Sequence, residues 1–392
     1  MDRRLSTLCL LCLPVLAAAQ NHPITIHANQ RVVSLQMSPA EYSDWIQKDE
    51  FESDAKREAL VQDIYRKFND EFDFIFLVLN EEESPANIDY AGQLISISNK
   101  TAGLGNKAFD YAKDYGSAGR LKSVMALTGS DYVMSGPSLH ELMHTWGNFG
   151  IQTAAFDPFG GGGAISNFKP HWGFTGGNVE GQLGGFKQST LVENVGGKAT
   201  RYKTAPFGQF ANGGNGVPYS EFELYLMGML PSAGVAAFDV FRGITAYDDK
   251  TNEFEAATRV RYDQARIVSE LGERIPASAA AQKDFRLLIV VLCGAPLTAS
   301  EWAAYDKDSE AFGKPGSDGS FLYNFWEATG GRGTMETGKL NSVVKGTSIF
   351  TLGKPRNAAS AVIFPGDPLF TLTGRRIAPR RDLVHAAVNS QY

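Results

Sequence analysis

The chain has 392 residues, 43% of them hydrophobic and 20% charged, with 41 glycines and a formal net charge of -6. This is the composition of a globular protein that buries a large core, and it excludes disordered and fibrous classes. The charge falls to -7 once Asp2, Arg3 and Arg4 leave with a leader, so no basic field exists to attract nucleic acid.

Residues 1–19 read as a secretory signal peptide: Arg3 and Arg4, an apolar run from Leu5 to Leu16, then Ala17, Ala18 and Ala19 before the cut. The implied location is secreted or periplasmic. Cys9 and Cys12 depart with the leader, which leaves Cys293 as a lone buried residue and rules out an intrachain disulfide. No run in the mature chain is long enough to span a bilayer.

Downstream, "ITIHANQRVVSL" suits a strand or hairpin, and Ser38-Pro39 opens a helical pattern that runs toward Phe68. "FDFIFLVLN", "QLISISN" and "LKSVMALTG" read as strands, the first fully buried. A helix follows in "SGPSLHELMHTWGNFG". From Gly150 to Gly216 the glycine-rich stretches "FGGGG", "FTGGN", "GQLGG" and "NGGNG" predict long loops that border a cleft. "YSEFELYLMGMLP" predicts a short helix, and "ITAYDDKTNEFEAATRV" a strand, turn and strand. Helices are expected in "DQARIVSELG", "AAAQKDFRLLIVVLC", "ASEWAAYDKDSEAF" and "SFLYNFWEATG".

The chemistry is concentrated in His140, Glu141 and His144, spaced H-E-x-x-H. Residues four apart share a helix face, so the two imidazoles can converge on one ion at about 2.0–2.1 Å per bond. Glu141 lies on the flank of the pair, where it can take a proton from water attacking a carbonyl and pass it to the leaving amine. Leu139, Leu142, Met143 and Trp146 form an apolar stripe at i, i+3, i+4 and i+7, which anchors the helix and leaves the histidines off the buried face. Ser138 and Glu141 also match a capping box, while Ser135 and Pro137 offer an earlier helix start that frees Glu141.

A catalytic metal of this kind takes three protein ligands. His171, in "KPHWGF", is the favoured third ligand, with Glu223 as the alternative and Glu221, Asp157 and Glu180 behind it. His22, His27 and His385 read as surface or core histidines. Glu223 has a second possible role, accepting a hydrogen bond from a ligand imidazole. Met227 and Met229 read as core, and Tyr219 or Tyr225 as candidate donors to a developing oxyanion. "GTMETGKL" misses a phosphate-binding loop because Leu340 replaces the hydroxyl residue.

His140, Glu141 and His144 resemble the zincin metallopeptidases. In the metzincin branch the pattern continues to a glycine, matched by Gly147, and then to a third histidine, where this chain has Gly150. The resemblance implies an α+β fold with a zincin-like core, a mixed sheet plus an active-site helix, over residues 20–237. A mixed, largely helical extension (238–345) and a strand and turn tail (346–392) follow. It also implies a Zn2+ cofactor, peptide-bond hydrolysis with Glu141 as general base and acid, and protein or peptide substrates. The alternative is a secreted binding or surface-interaction protein on the same scaffold, with little turnover.

Overall fold

The computed structural model describes residues 22–148, 151, 155–157, 164–166, 171–207, 214–317 and 319–346. The expected leader (1–19), His385 and all but the first residue of the expected tail (346–392) lie outside the described residues.

The fold is mixed α+β around a seven-stranded mixed sheet. Its strands are β1 (Ile24–Ile26), β2 (Val32–Gln36), β3 (Phe74–Leu79), β4 (Gly92–Ser96) and β5 (Ser123–Leu127) from the N-terminal part of the chain. A smaller four-stranded sheet combines β6 (Val192–Glu193), β7 (Arg201–Lys203), β8 (Phe238–Asp248) and β9 (Glu253–Tyr262). β10 (Asp284–Cys293) and β11 (Thr334–Glu336) then return to the main sheet.

The main order is β1-β2-β10-β3-β5-β4, with β11 beside the start of β10. Strands β2, β10, β3 and β5 run parallel, whereas β1 and β4 are antiparallel to their neighbours. β4 is therefore an edge strand. Every residue of β3 is buried, as a central parallel strand covered on both faces requires.

The helix expected in "AAAQKDFRLLIVVLC" is a strand instead, because Leu287 to Leu292 is an unbroken apolar, β-branched-rich run that fills the slot between β2 and β3. Residues 238–345 thus do more than pack on a finished core: β10 lies between β2 and β3, which do not pair with each other. The single helix expected from Pro39 toward Phe68 is two, α1 (Pro39–Lys48) and α2 (Asp54–Lys67). Asp49 ends the first in the left-handed region at φ 51°, and a 3-10 turn, Glu50–Glu52, joins them.

Strand alternation sends side chains to two cores. On one face Ile75, Leu77, Leu288 and Val290 meet Trp45 of α1 and Leu60, Val61 and Ile64 of α2. On the other, Phe74, Phe76, Met125 and Ile289 meet α3 (Ser138–Gly147), α4 (Glu221–Met227), α5 (Gln264–Leu271), α6 (Ala299–Gly313) and the four-residue α7 (Phe325–Ala328). A third, aromatic core of Phe174, Phe186, Tyr202, Phe241 and Phe254 backs the glycine-rich segment with the smaller sheet. Among the described residues, no helix is long and apolar enough to cross a membrane.

Candidate metal centre

The site is built on α3, whose apolar stripe behaves as its spacing predicts. Leu139, Leu142 and Met143 are fully buried, and the Trp146 ring meets Phe74 and Phe285 edge-on at 5.8 and 5.6 Å. Glu141 does not cap this helix. That role falls to Asn215, from "NGGNG": its Oδ1 accepts from the Leu139 amide at 3.1 Å, and its Nδ2 donates to Val133 O and to Ser138 Oγ. The close approach needs glycine, since a Cβ on Gly136 would stand 2.5 Å from Gly214 Cα, and Gly136 has φ +103°.

With α3 anchored, His140 and His144 turn toward each other, their Nε2 atoms 3.1 Å apart. The segment after residue 170 delivers His171, whose Nε2 stands 3.2 Å from His140 Nε2. Two ligands at about 2.05 Å in tetrahedral geometry lie roughly 3.3 Å apart, so these spacings suit three imidazoles around one ion. The three histidines form a group able to hold a metal, with ligand atoms all within 4.8 Å of one another.

The hydrogen bonds fix which nitrogens face the centre. His140 Nδ1–H donates to the Gln182 carbonyl at 2.5 Å, and His144 Nδ1–H donates to Asn148 Oδ1 at 2.9 Å. Each Nε2 is then a bare lone pair when its ring is neutral. Burial keeps the rings neutral. Desolvation, with His144 and His171 as neighbours, holds His140 well below the ordinary histidine range. Burial and then the charge of His171 lower His144 to about 3, and burial lowers His171 to about 4. The Nε2 lone pairs of His140 and His144 converge without a proton between them and repel, and a cation relieves that repulsion.

Glu141 occupies the boundary between α3 and the edge strand β4. Burial pushes its carboxyl up to about 8, against a hydrogen bond from the Leu94 amide that favours the ionised form. Leu94 can supply that amide because Thr128 N donates to Ala91 O and Ile97 N to Lys122 O. Alternation then turns the backbone of Gly92, Leu94 and Ser96 away from β5. Gly92 also makes room for Glu141, since a Cβ there would stand 2.9 Å from Glu141 Cγ.

Glu223 is fully buried, but it faces backbone amides rather than the histidine cluster: Gln182 N at 3.1 Å, Leu183 N at 2.7 Å and Ser220 N at 2.7 Å. Glu221 accepts from Asn178 and Ala236, and Glu180 pairs with Lys187. Asp157 lies on the short strand Ala155–Asp157.

The remaining candidates sit elsewhere. His22 lies between Asp63 and Glu41, and His27 stacks on Trp302. Tyr219 is no oxyanion donor, because its hydroxyl donates to Leu139 O at 2.9 Å from a buried position. Tyr225, Met227 and Met229 belong to the core, and Arg274 caps the end of α4 through Leu226 O and Met227 O.

The chain matches no family model, no curated protein and no solved structure. The site therefore stands on its own geometry. Three of its parts have no signature in the sequence: Asn215, which starts α3; Leu94, which meets Glu141; and Gln182, which orients His140. Two of them act wholly through backbone groups, so no side-chain pattern announces them. Asn215 is hidden in a stretch whose composition predicts loop.

Proposed function

We propose that the chain is an exported zinc-dependent metallopeptidase with a zincin-like core, its zinc held by His140, His144 and His171. The convergence of three neutral imidazoles, with His140 buried and His171 half-buried, beside a buried glutamate carries the reading. Their donor set suits a borderline-soft divalent ion and leaves a fourth position open. Zinc bound there supplies Lewis acidity, polarising a carbonyl and acidifying water.

The chain's own residues do the rest. Glu141 is the general base and acid: positive charge held by the histidines draws its carboxyl down from about 8 toward the range where a base works at neutral pH. The outward backbone of β4 offers an extended peptide a strand to lie along, and among the described residues nothing pairs with that edge. A peptide lying there would bring its carbonyl beside α3. The glycine-rich segment bearing His171 forms the facing wall, braced by the aromatic core behind it. Residues 1–19 direct export.

The test is hydrolysis of casein by the purified mature chain, with and without a chelator, beside Glu141→Gln. Turnover lost in both the chelated chain and the variant supports the proposal; zinc bound with no cleavage by the wild type refutes it.

A further inference from the structure

Glu223 is buried, no ion pair is formed with it among the described residues, and its two oxygens take three backbone amides. One of those amides is decisive. Leu183 N and Gln182 O belong to the same peptide group, and a trans peptide points its N–H and C=O in opposite directions. On one side of this plane the Leu183 amide donates to Glu223 Oε1 at 2.7 Å; on the other, the Gln182 carbonyl accepts from His140 Nδ1 at 2.5 Å. The preceding peptide is tied as well, through Gln182 N to Oε2 at 3.1 Å.

We infer that Glu223 is a positioning residue for the metal ligand His140, acting through the Gln182–Leu183 peptide and never touching the ion. The inference rests on the metal centre proposed above. The negative carboxylate polarises the peptide, so its carbonyl accepts more strongly from His140 Nδ1. That fixes the tautomer, aims Nε2 and makes the imidazole a stronger donor to the metal. The same carboxylate closes a capping box with Ser220 at the start of α4, so the relay is tied to a core helix. Burial raises the Glu223 carboxyl, while hydrogen bonds from Leu183, Ser220 and Gln182 draw it down; a protonated Glu223 would turn one oxygen into a donor facing N–H groups, so this amide cradle favours the charged form.

Gly181 supplies an independent sign. A Cβ there would lie 2.2 Å from Glu223 Oε2 and 2.5 Å from its Cδ, so the bare backbone is what lets the carboxylate reach both amides. The variants follow from this. Glu223→Gln keeps the volume but removes the charge and sets an NH2 group against amide donors. Gly181→Ala displaces the carboxylate while leaving it in the chain. Thr298→Ala is the control, since it removes the hydroxyl that accepts from Glu301 N at 3.3 Å at the start of α6 and lies outside the relay.

Zinc affinity is measured on the full mature chain by chelator competition, together with the visible spectrum of the cobalt(II)-substituted protein and the thermal midpoint. Glu223→Gln and Gly181→Ala are each expected to weaken zinc binding about 10- to 100-fold and to alter the cobalt spectrum. Thr298→Ala should lower the midpoint with metal affinity unchanged. The double variant should lose no more than the larger single loss, because both act on one relay. If Glu223→Gln does not fold, Gly181→Ala decides alone. A wild-type chain that binds zinc, with variants that bind equally well and show its cobalt spectrum, overturns the relay only. A wild-type chain that binds no zinc overturns the metal centre and the relay with it.

Discussion

The Nε2 atoms of His140 and His171 stand 3.2 Å apart although 31 positions separate them in the chain. Neither residue is placed by its own neighbours alone. His140 depends on Asn215, which caps α3, and on the Gln182 carbonyl; His171 depends on a glycine-rich segment whose aromatic residues bury against the smaller sheet.

The contest between the two candidate third ligands can be read directly in metal content. His171→Ala is expected to weaken zinc binding by more than about 100-fold, beyond the usual cost of losing a residue that merely supports a ligand. Metal analysis after dialysis decides it. Full retention of zinc by His171→Ala would remove His171 from the centre.

Glu141→Gln separates binding from chemistry. The variant should hold zinc as the wild type does while peptide hydrolysis falls by about 10²- to 10⁴-fold, the usual contribution of a positioned acid or base. Parallel measurement of metal content and turnover checks this, and an active, metal-loaded Glu141→Gln chain would rule out the assigned role.

Much of the site is legible in sequence because it is local. The spacing of His140 and His144, and the stripe of Leu139, Leu142, Met143 and Trp146, follow from helix geometry alone. The β8–β9 hairpin, α5 and α6 are equally open to reading, each carrying its own turn or cap. Sequence patterns fail where pairing is non-local. The run from Leu287 to Leu292 is apolar on every side, so periodicity cannot separate a buried helix from a central strand; only the slot between β2 and β3 decides it. The break at Asp49 is equally hidden, because an aspartate in the left-handed region looks like any helical surface residue until its φ is known.

The central strand β10 makes a prediction of its own. A chain ended after Ala237 lacks it, leaving β2 and β3 with unpaired edges and the apolar faces of Ile75, Leu77 and Phe76 partly uncovered. It should not give a cooperative unfolding transition or bind zinc. Urea unfolding followed by tryptophan fluorescence tests this, and a cooperative, metal-binding fragment would show that residues 238–345 are dispensable to the core.

Asn215→Ala removes the side chain that caps α3 and leaves the Leu139 amide without its partner. Loss of a helix cap costs about 1–2 kcal/mol. Because the capped turn carries His140, zinc affinity should fall together with stability. Chemical denaturation and chelator competition on the same variant measure the two. Unchanged stability would contradict the capping role.

The metal-free chain is expected to be most stable between about pH 6.5 and 7, because its site contains groups whose native proton affinities are shifted in opposite directions. The native pKa values of His144 and His171 lie at about 3 and 4, below the ordinary 6.5, so the unfolded chain takes up more protons as pH falls below about 6.5. Stability is lost on that acidic side. Glu141 is raised from 4.5 to about 8, so the native chain keeps a proton that the unfolded chain has released. Its contribution is lost as pH rises from about 4.5 through 8; between about 4.5 and 6.5 it opposes the histidines, which outnumber it, so stability keeps rising with pH up to about 6.5. Glu141→Gln removes only the alkaline loss. At pH 8 with chelator present, the variant should therefore be more stable than the wild type by at least about 1 kcal/mol, since a tenfold difference in proton affinity between native and unfolded chains is worth about 1.4 kcal/mol. Urea unfolding across pH 4 to 9 reads both limbs, and a metal-free Glu141→Gln chain no more stable than wild type at pH 8 would mean that Glu141 is not held protonated by burial.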